Sequence, residues 1–335
     1  MNPFISICIP VYNGAEFLEE CLQSCLNQSY QNFEIIICDD VSSDNSDEIC
    51  LKFKEKSKKV HFFKNEKNLG LVGNWNECLK KSSGEWIKFL FQDDYLTPNA
   101  LLEFAAATSN GAQLIVSKRN FLLPANTNEK LKNYYQNEVR TLENTGFYNG
   151  NIFSEKIIST LAVNNICLNF IGEPSLTMFK KEIVNEIGYF DENLKQICDL
   201  EFFQRIGVNY GLNYLPEKNC FFRIHNNSTT SNNLTKNNYR LRYIEPIVLT
   251  NKMLFHKSYQ SFRKSINFWQ RLKLKIYFET RCHEAKINSI KTPENLLVWE
   301  EICQNFENIN KAAKSSWLIK LIFLALILWR KTRKN

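Results

Sequence analysis

The chain has 335 residues, 44% of them apolar and 23% charged, which is enough to build a sizeable core and leaves no long stretch that looks disordered. Its eleven cysteines are scattered and contain no Cys-x-x-Cys pair, which excludes a disulfide scaffold and argues against a zinc ribbon; they read as reduced core thiols in a cytosolic setting. The net charge of +7 is uneven: residues 251–335 carry 17 Lys/Arg against 6 Asp/Glu, so the C-terminal part is expected to meet an anionic surface.

A strand-like run starts at Phe4, so no signal peptide is expected. From there strands and helices alternate. Phe4 to Val11 is an apolar strand, and Glu16 to Cys25 repeats apolar residues at helical spacing. Phe33 to Cys38 is a second strand, and the segment from Asp44 to Phe53 opens on a good N-cap residue. Val60 to Phe63 is a third strand. Val72 to Lys81 is a helix closed by Ser82, Ser83 and Gly84. Trp86 to Phe91 is a fourth strand, Pro98 to Ala107 a helix with proline at its start, and Gln113 to Ser117 a fifth strand. Apolar strands between helices predict an α/β fold whose mainly parallel sheet is covered on both faces. Residues 121–170 are polar and Asn-rich and give no clear pattern. Regularity returns from Ser175 to His225, and from Lys236 the chain reads as helical and basic, with no internal repeat.

Three acidic clusters stand where ligands collect in such sheets. Asp39 and Asp40 follow the second strand, Asp93 and Asp94 follow the fourth, and Asp199 and Glu201 open a later helix. One aspartate after a strand is usually a turn or cap residue. Two pairs at one sheet edge would repel each other unless a cation or hydrogen-bond donors lay between them. Hard oxygen ligands suit Mg2+ or Mn2+, above all when a diphosphate shares the metal.

These blocks resemble family 2 glycosyltransferases of the GT-A fold, of the bacterial surface-polysaccharide type. Ser6 to Gly14 is similar to their opening strand and loop, and Gln28 to Ser43 to their second strand and nucleotide-binding turn. Asn68 to Pro98 is similar to the block ending in the metal-binding acidic motif, Gly188 to Arg205 to the block carrying the base, and Phe222 to His225 to a later Arg-x-His element. The resemblance covers about residues 4–230. It implies a Rossmann-like GT-A catalytic domain over 1–230, with a nucleotide-binding half to about 120 and an acceptor half beyond, followed by a helical extension over 231–335.

The resemblance also implies roles. Pro10 and Tyr12 would line the base pocket, Tyr12 by packing on the nucleobase. Asp40, with Asp39 beside it, would bind the base, and Asp93 would approach the ribose or the metal. Asp94 would ligate the divalent metal, with His225 approaching it or the diphosphate. Asp199 would be the general base, supported by Glu201. The chain departs from the family in three places. Phe91 and then Gln92 stand where many members begin Asp-x-Asp-Asp. Trp75 replaces a phosphate-facing arginine, leaving Lys67, Asn74 and Asn76 as replacements, of which Asn76 joins the nucleotide-binding set. Cys198 replaces an acidic residue before the base.

The implied activity is inverting, metal-assisted transfer from a nucleotide diphosphate sugar, first of all a UDP-sugar, to a hydroxyl of a glycan or lipid-linked acceptor. The other readings are a catalytically degenerate nucleotide-sugar-binding homologue and a sugar nucleotidyltransferase, although Asn13-Gly14-Ala15-Glu16 lacks the basic phosphate loop of the latter. Nothing marks a nucleic-acid module, and oligomerisation is left open.

Lys252 to Arg281 interleaves basic and aromatic residues, as expected either of a helix on an anionic membrane or of one packed on the catalytic domain. Trp317 to Trp329 is nearly all apolar and is followed by Arg330, Lys331, Arg333 and Lys334. Thirteen residues are too few to span a bilayer, which takes about 20. Shallow insertion at the inner face of the cell membrane, from the cytoplasmic side, is the expectation.

Overall fold

The computed structural model describes residues 2–124, 127, 129–139, 141–147, 150–225 and 239–314. It divides into two compact units, residues 1–158 with 168–232, and residues 159–167 with 233–335. The apolar run from Trp317 to Trp329 lies outside the described residues.

The first unit is built on an eight-stranded sheet. Its strands are β1 (Ile5–Val11), β2 (Phe33–Asp39), β3 (Val60–Lys64), β4 (Trp86–Phe89), β6 (Leu114–Ser117), β8 (Ile152–Phe153), β9 (Thr177–Lys180) and β10 (Leu212–Leu215), in the order β3-β2-β1-β4-β9-β6-β10-β8. The strands β3, β2, β1 and β4 run parallel, with Ile5 beside Phe33 and Trp86. β9 is antiparallel to both its neighbours, and β8 is antiparallel to β10. A three-stranded sheet, β5 (Tyr95–Leu96), β11 (Cys220–Arg223) and β7 (Phe121–Leu122), has β11 at its centre.

Connecting helices are α1 (Ala15–Leu26), α2 (Ser46–Lys56), α3 (Gly70–Lys81) and α4 (Ala100–Ala107). Farther along come α5 (Glu129–Asn133), α6 (Glu155–Asn164), α7 (Val184–Ile187) and α8 (Cys198–Tyr210). Every residue of β1 and β2 is buried. That explains why these strands read as unbroken apolar runs: helices cover both faces. All eleven cysteines are free, and nine of them are buried.

Antiparallel β9 brings new groups to the working edge. Lys88 of β4 pairs with Met178, and Val116 of β6 pairs with Thr177. The residues that precede β9 (Glu173 to Leu176) and those that follow β6 (Lys118, Arg119) therefore share the edge where β1, β2 and β4 end.

The second unit is helical among its described residues, with helices at Glu245–Phe255, Gln260–Ser265, Phe268–Ser289, Pro293–Asn305 and Glu307–Lys314. The basic-aromatic stretch from Lys252 to Arg281 is not one helix. The chain turns extended at His256 and again at Ile266. Phe262, Leu274, Ile276 and Phe278 are buried as core, while Phe268 and Trp269 stand exposed. The 22-residue helix starts on a full capping box, in which Asn267 and Gln270 bond each other's backbone N–H. Among the described residues, no helix is long and apolar enough to cross a membrane.

Candidate active site

Four segments meet at the carboxyl edge of the parallel strands. The first two are the turns after β1 and β2, and they lock each other. Asn13 N donates to Ser42 Oγ at 2.9 Å, Ser43 N donates to Asn13 Oδ1 at 2.8 Å, and Gly14 N donates to Ser46 Oγ at 3.0 Å. Asn13 and Val41 both have left-handed backbone, at φ 48° and 64°. Asparagine tolerates this region, but a β-branched valine is strained there. Tyr12 leaves this knot with half its surface exposed, while Pro10 lies buried within β1.

Asp39 and Asp40 are spent on their own surroundings. Asp39 accepts from the Ser42 amide at 3.0 Å and from its hydroxyl, and burial followed by nearby Asp47 raises its pKa against those bonds. Asp40 accepts from Leu69 N at 2.7 Å, Gly70 N at 2.9 Å and Asn65 Nδ2 at 2.9 Å. It therefore caps the start of α3, whose own N-cap residue, Leu69, offers no side-chain acceptor. With both carboxylates almost fully buried, a direct hydrogen bond from a nucleobase N–H to Asp40 needs this capping arrangement to open.

The third segment is the turn after β4. Asp94 is buried; its Oδ1 accepts from Arg223 N at 2.9 Å, and its Oδ2 is buried with no hydrogen bond of normal geometry. Burial, then adjacent Asp93, push the Asp94 carboxyl well above the usual range, while the Ser175 hydroxyl and the Arg223 amide oppose this. Asp93 Oδ2 lies 2.9 Å from His225 Nε2, so His225 does reach the acidic pair, through Asp93. Arg223 Nε holds the Asp93 carbonyl at 2.9 Å, and its guanidinium lies over Phe17. Behind the turn, Lys88 is fully buried and donates to the carbonyls of Phe89 and Ser175. Burial lowers its pKa to about 8, and Asp94 is among the groups that oppose this.

These groups fit a divalent cation. Two adjacent carboxylates, one with an orphaned buried oxygen, form a hard oxygen donor set. No group of three or more candidate ligands occurs among the described residues. A small cation such as Mg2+ can be held by one or two carboxylates, with phosphate and water completing its shell.

The fourth segment carries Asp199, in the first turn of α8. Its Oδ1 accepts from Leu200 N at 2.7 Å, and its Oδ2 accepts from Asn169 Nδ2 at 3.2 Å. Asn169 also binds Gly172 through both ends of its amide. Arg119, itself buried, donates to Asn169 O and to Glu173 Oε2. Burial raises the Asp199 pKa to about 7; the Leu200 amide works against this and Glu173 with it. A carboxylate poised near 7 is matched to general-base work at neutral pH.

Two expected residues are not brought to this edge. Glu201 has no exposed surface, and both its oxygens lie 3.0 Å from Arg205 nitrogens. Arg205 in turn holds the carbonyls of Ile187, Gly188 and Tyr189, so the pair braces a turn rather than the base. Asn76 spends its amide on both backbone groups of Phe190, at 3.1 Å each. Asn74, the other asparagine considered, ties the carbonyls of Val11 and Cys38 together.

The two aromatic departures from the family pattern explain each other. Trp75 is buried and packs against Phe91 with centroids 4.9 Å apart, alongside Phe89 and Phe190. An arginine and an aspartate at these two places are replaced here by one ring contact. Sequence reasoning gave no role to Gln92, Arg119, Asn169 or Ser175, whose hydroxyl accepts from Phe91 N at 3.0 Å. Their signal was weak, because their importance lies in bonds to residues up to 87 positions away.

A family model described as glycosyl transferase family 2 matches residues 6–187. An uncharacterized protein of Mycobacterium tuberculosis is 27% identical over 65% of this chain and 66% of its own length. A poly(ribitol-phosphate) beta-glucosyltransferase of Bacillus spizizenii is 40% identical over 30% of this chain and 16% of its own. These alignments span less than two thirds of the relatives' own length. Among solved structures, S. aureus TarS residues 1–349 in complex with UDP-GlcNAc superposes with a TM-score of 0.59 at 19% identity, over 91% of this chain and 81% of that one. A mannosyltransferase from Pyrobaculum calidifontis, bound to GDP-Man and Mn2+, superposes with a TM-score of 0.53 at 13% identity, over 99% and 88%. Both share the fold.

Proposed function

This chain belongs to glycosyl transferase family 2, and on that premise we propose that it moves a sugar from a nucleotide diphosphate, first of all UDP, to an acceptor hydroxyl with inversion at the anomeric carbon. The observation that carries the proposal is Asp199: a carboxylate with a pKa of about 7, linked through Asn169 and Glu173 to the edge that holds Asp93 and Asp94. The acceptor oxygen attacks the anomeric carbon as its proton passes to Asp199, and the bond to the diphosphate breaks on the opposite side. One displacement inverts configuration, and such a base contributes about 10²–10⁴-fold.

Asp94, with Asp93 beside it, would hold Mg2+ or Mn2+. Bound there, the cation would offset charge developing on the departing diphosphate. Tyr12 would stack on the nucleobase. A surface-glycan acceptor is supported by the similarity to a poly(ribitol-phosphate) beta-glucosyltransferase, and a lipid-linked one by the basic C-terminal segment, which would hold the protein peripherally at the cytoplasmic face of an anionic membrane. Sedimentation with anionic vesicles at low salt tests that location; failure of the full chain to bind removes it.

The competing reading is a degenerate binding protein, favoured by Phe91 and Trp75. Those rings contact each other and leave Asp94 and Asp199 in place, which supports an active enzyme. Calorimetry of UDP with and without Mn2+ tests the donor site. Asp94→Ala should abolish the metal-dependent part of binding, and unchanged affinity and metal dependence would sink that assignment.

A further inference from the structure

Gln92 occupies the middle of the acidic turn, directly before Asp93. Its side chain points away from that turn and back to the first loop. Gln92 Oε1 accepts from Tyr12 N at 2.9 Å, and Gln92 Nε2 donates to Tyr12 O at 3.1 Å. One amide thus satisfies both backbone groups of one residue, 80 positions earlier. The fit depends on Gly14: a Cβ there would fall 2.2 Å from Gln92 Oε1. The ring of Tyr12 is half exposed and has no aromatic partner among the described residues. Its backbone is therefore fixed while its face is free. The neighbouring Asn13 and Val41 both hold left-handed backbone, so this loop is shaped by bonds of this kind rather than by intrinsic preference.

We propose that Gln92 is a positioning residue for the donor nucleotide, clamping Tyr12 so that its ring stands as a nucleobase wall at a fixed offset from the Asp93–Asp94 turn. The proposal rests on the family 2 reading above and adds to it a residue with no assigned role. Its physical content is coupling. Base and diphosphate are read by segments far apart in sequence, and the clamp makes them one rigid template. Preorganisation of this kind removes an ordering cost from binding. Both hydrogen bonds are already made in the free protein, so they act on affinity by holding the loop in its binding shape. Their loss should weaken UDP binding by roughly tenfold while leaving the diphosphate half untouched.

The test is calorimetry in the presence of Mn2+ with three probes, UDP, GDP and inorganic pyrophosphate, on the full chain. The variants are Gln92→Met, which keeps length and packing but removes both bonds, Gly14→Ala, Tyr12→Ala, and the Gln92→Met/Tyr12→Ala double variant. Gly14→Ala reaches the same clamp from its other side, by displacing the end of a flexible side chain. The expected result is about tenfold weaker nucleotide binding in Gln92→Met and in Gly14→Ala, with pyrophosphate binding unchanged. The double variant should be no weaker than Tyr12→Ala alone, because the clamp acts only through Tyr12. Nucleotide affinity in Gln92→Met within twofold of the parent overturns the proposal. So does an equal loss for pyrophosphate, which would place the effect in the acidic turn itself, and so does full additivity with Tyr12→Ala. If the parent binds neither UDP nor GDP, the donor reading falls and the proposal with it.

Discussion

Replacing Asn169 with alanine should move the pH dependence of turnover in a calculable way. Among the described residues, Asn169 supplies the side-chain hydrogen bond to Asp199 Oδ2, at 3.2 Å. In the parent, Asp199 titrates near pH 7. The ionised fraction, and with it kcat/KM, should fall about tenfold for each pH unit well below 7, leaving about a tenth of the plateau at pH 6. A hydrogen bond to an ionised group is worth about 1.5–3 kcal/mol. This one is long, and Asp199 keeps some surface, so water will replace part of it. Losing about 1.4 kcal/mol raises the pKa by one unit, because the charged form loses its donor while the neutral form loses little. At pH 7 the variant would then be about one tenth ionised against one half for the parent, a fivefold defect that disappears by pH 9. The assay is kcat/KM for sugar transfer from pH 5.5 to 9.5, with thermal melts to confirm folding. A defect of constant size across that range would refute the reasoning, since it would mean that Asn169 acts through geometry alone.

Other expectations follow from the same contacts. Glu201→Gln should lower stability by about 3 kcal/mol, because it leaves Arg205 buried without its counter-charge, while activity per folded molecule stays near that of the parent. Chemical denaturation paired with active-site titration checks this, and loss of activity without loss of stability would return Glu201 to the catalytic set. Val41→Gly should raise stability by about 1 kcal/mol, the relief of left-handed strain less the entropy that glycine brings to the unfolded chain. A melting temperature equal to or below the parent's would show that Val41 is held by contacts rather than strained.

The sheet was legible because buried parallel strands leave unbroken apolar runs, and β1, β2 and β4 fall within two residues of their predicted ends. The small sheet of β5, β7 and β11 was not, since two-residue strands such as Tyr95–Leu96 carry no period. Asp39–Asp40 shows the limit for the site. A carboxylate pair after a strand suggested ligand binding, whereas Asp40 is held by amides 29 and 30 residues further on. That bond depends on where α3 begins in space, which no local pattern reveals. Glu201 offered a better clue: an Arg four residues later on the same helix is the spacing of an ion pair. Trp75 and Phe91 each looked like a defect in the family pattern, and only their ring contact shows one replacement made in two places.

The most direct test of the account is the stereochemistry of transfer with and without Asp199. The parent and Asp199→Asn would be given an α-linked UDP-sugar donor, Mn2+ and a glycan acceptor, and the product linkage read by NMR. The account predicts a β-linked product from the parent, and donor binding with turnover lowered at least about 10²-fold in Asp199→Asn. An α-linked product, or Asp199→Asn turning over near the parent rate, would contradict it.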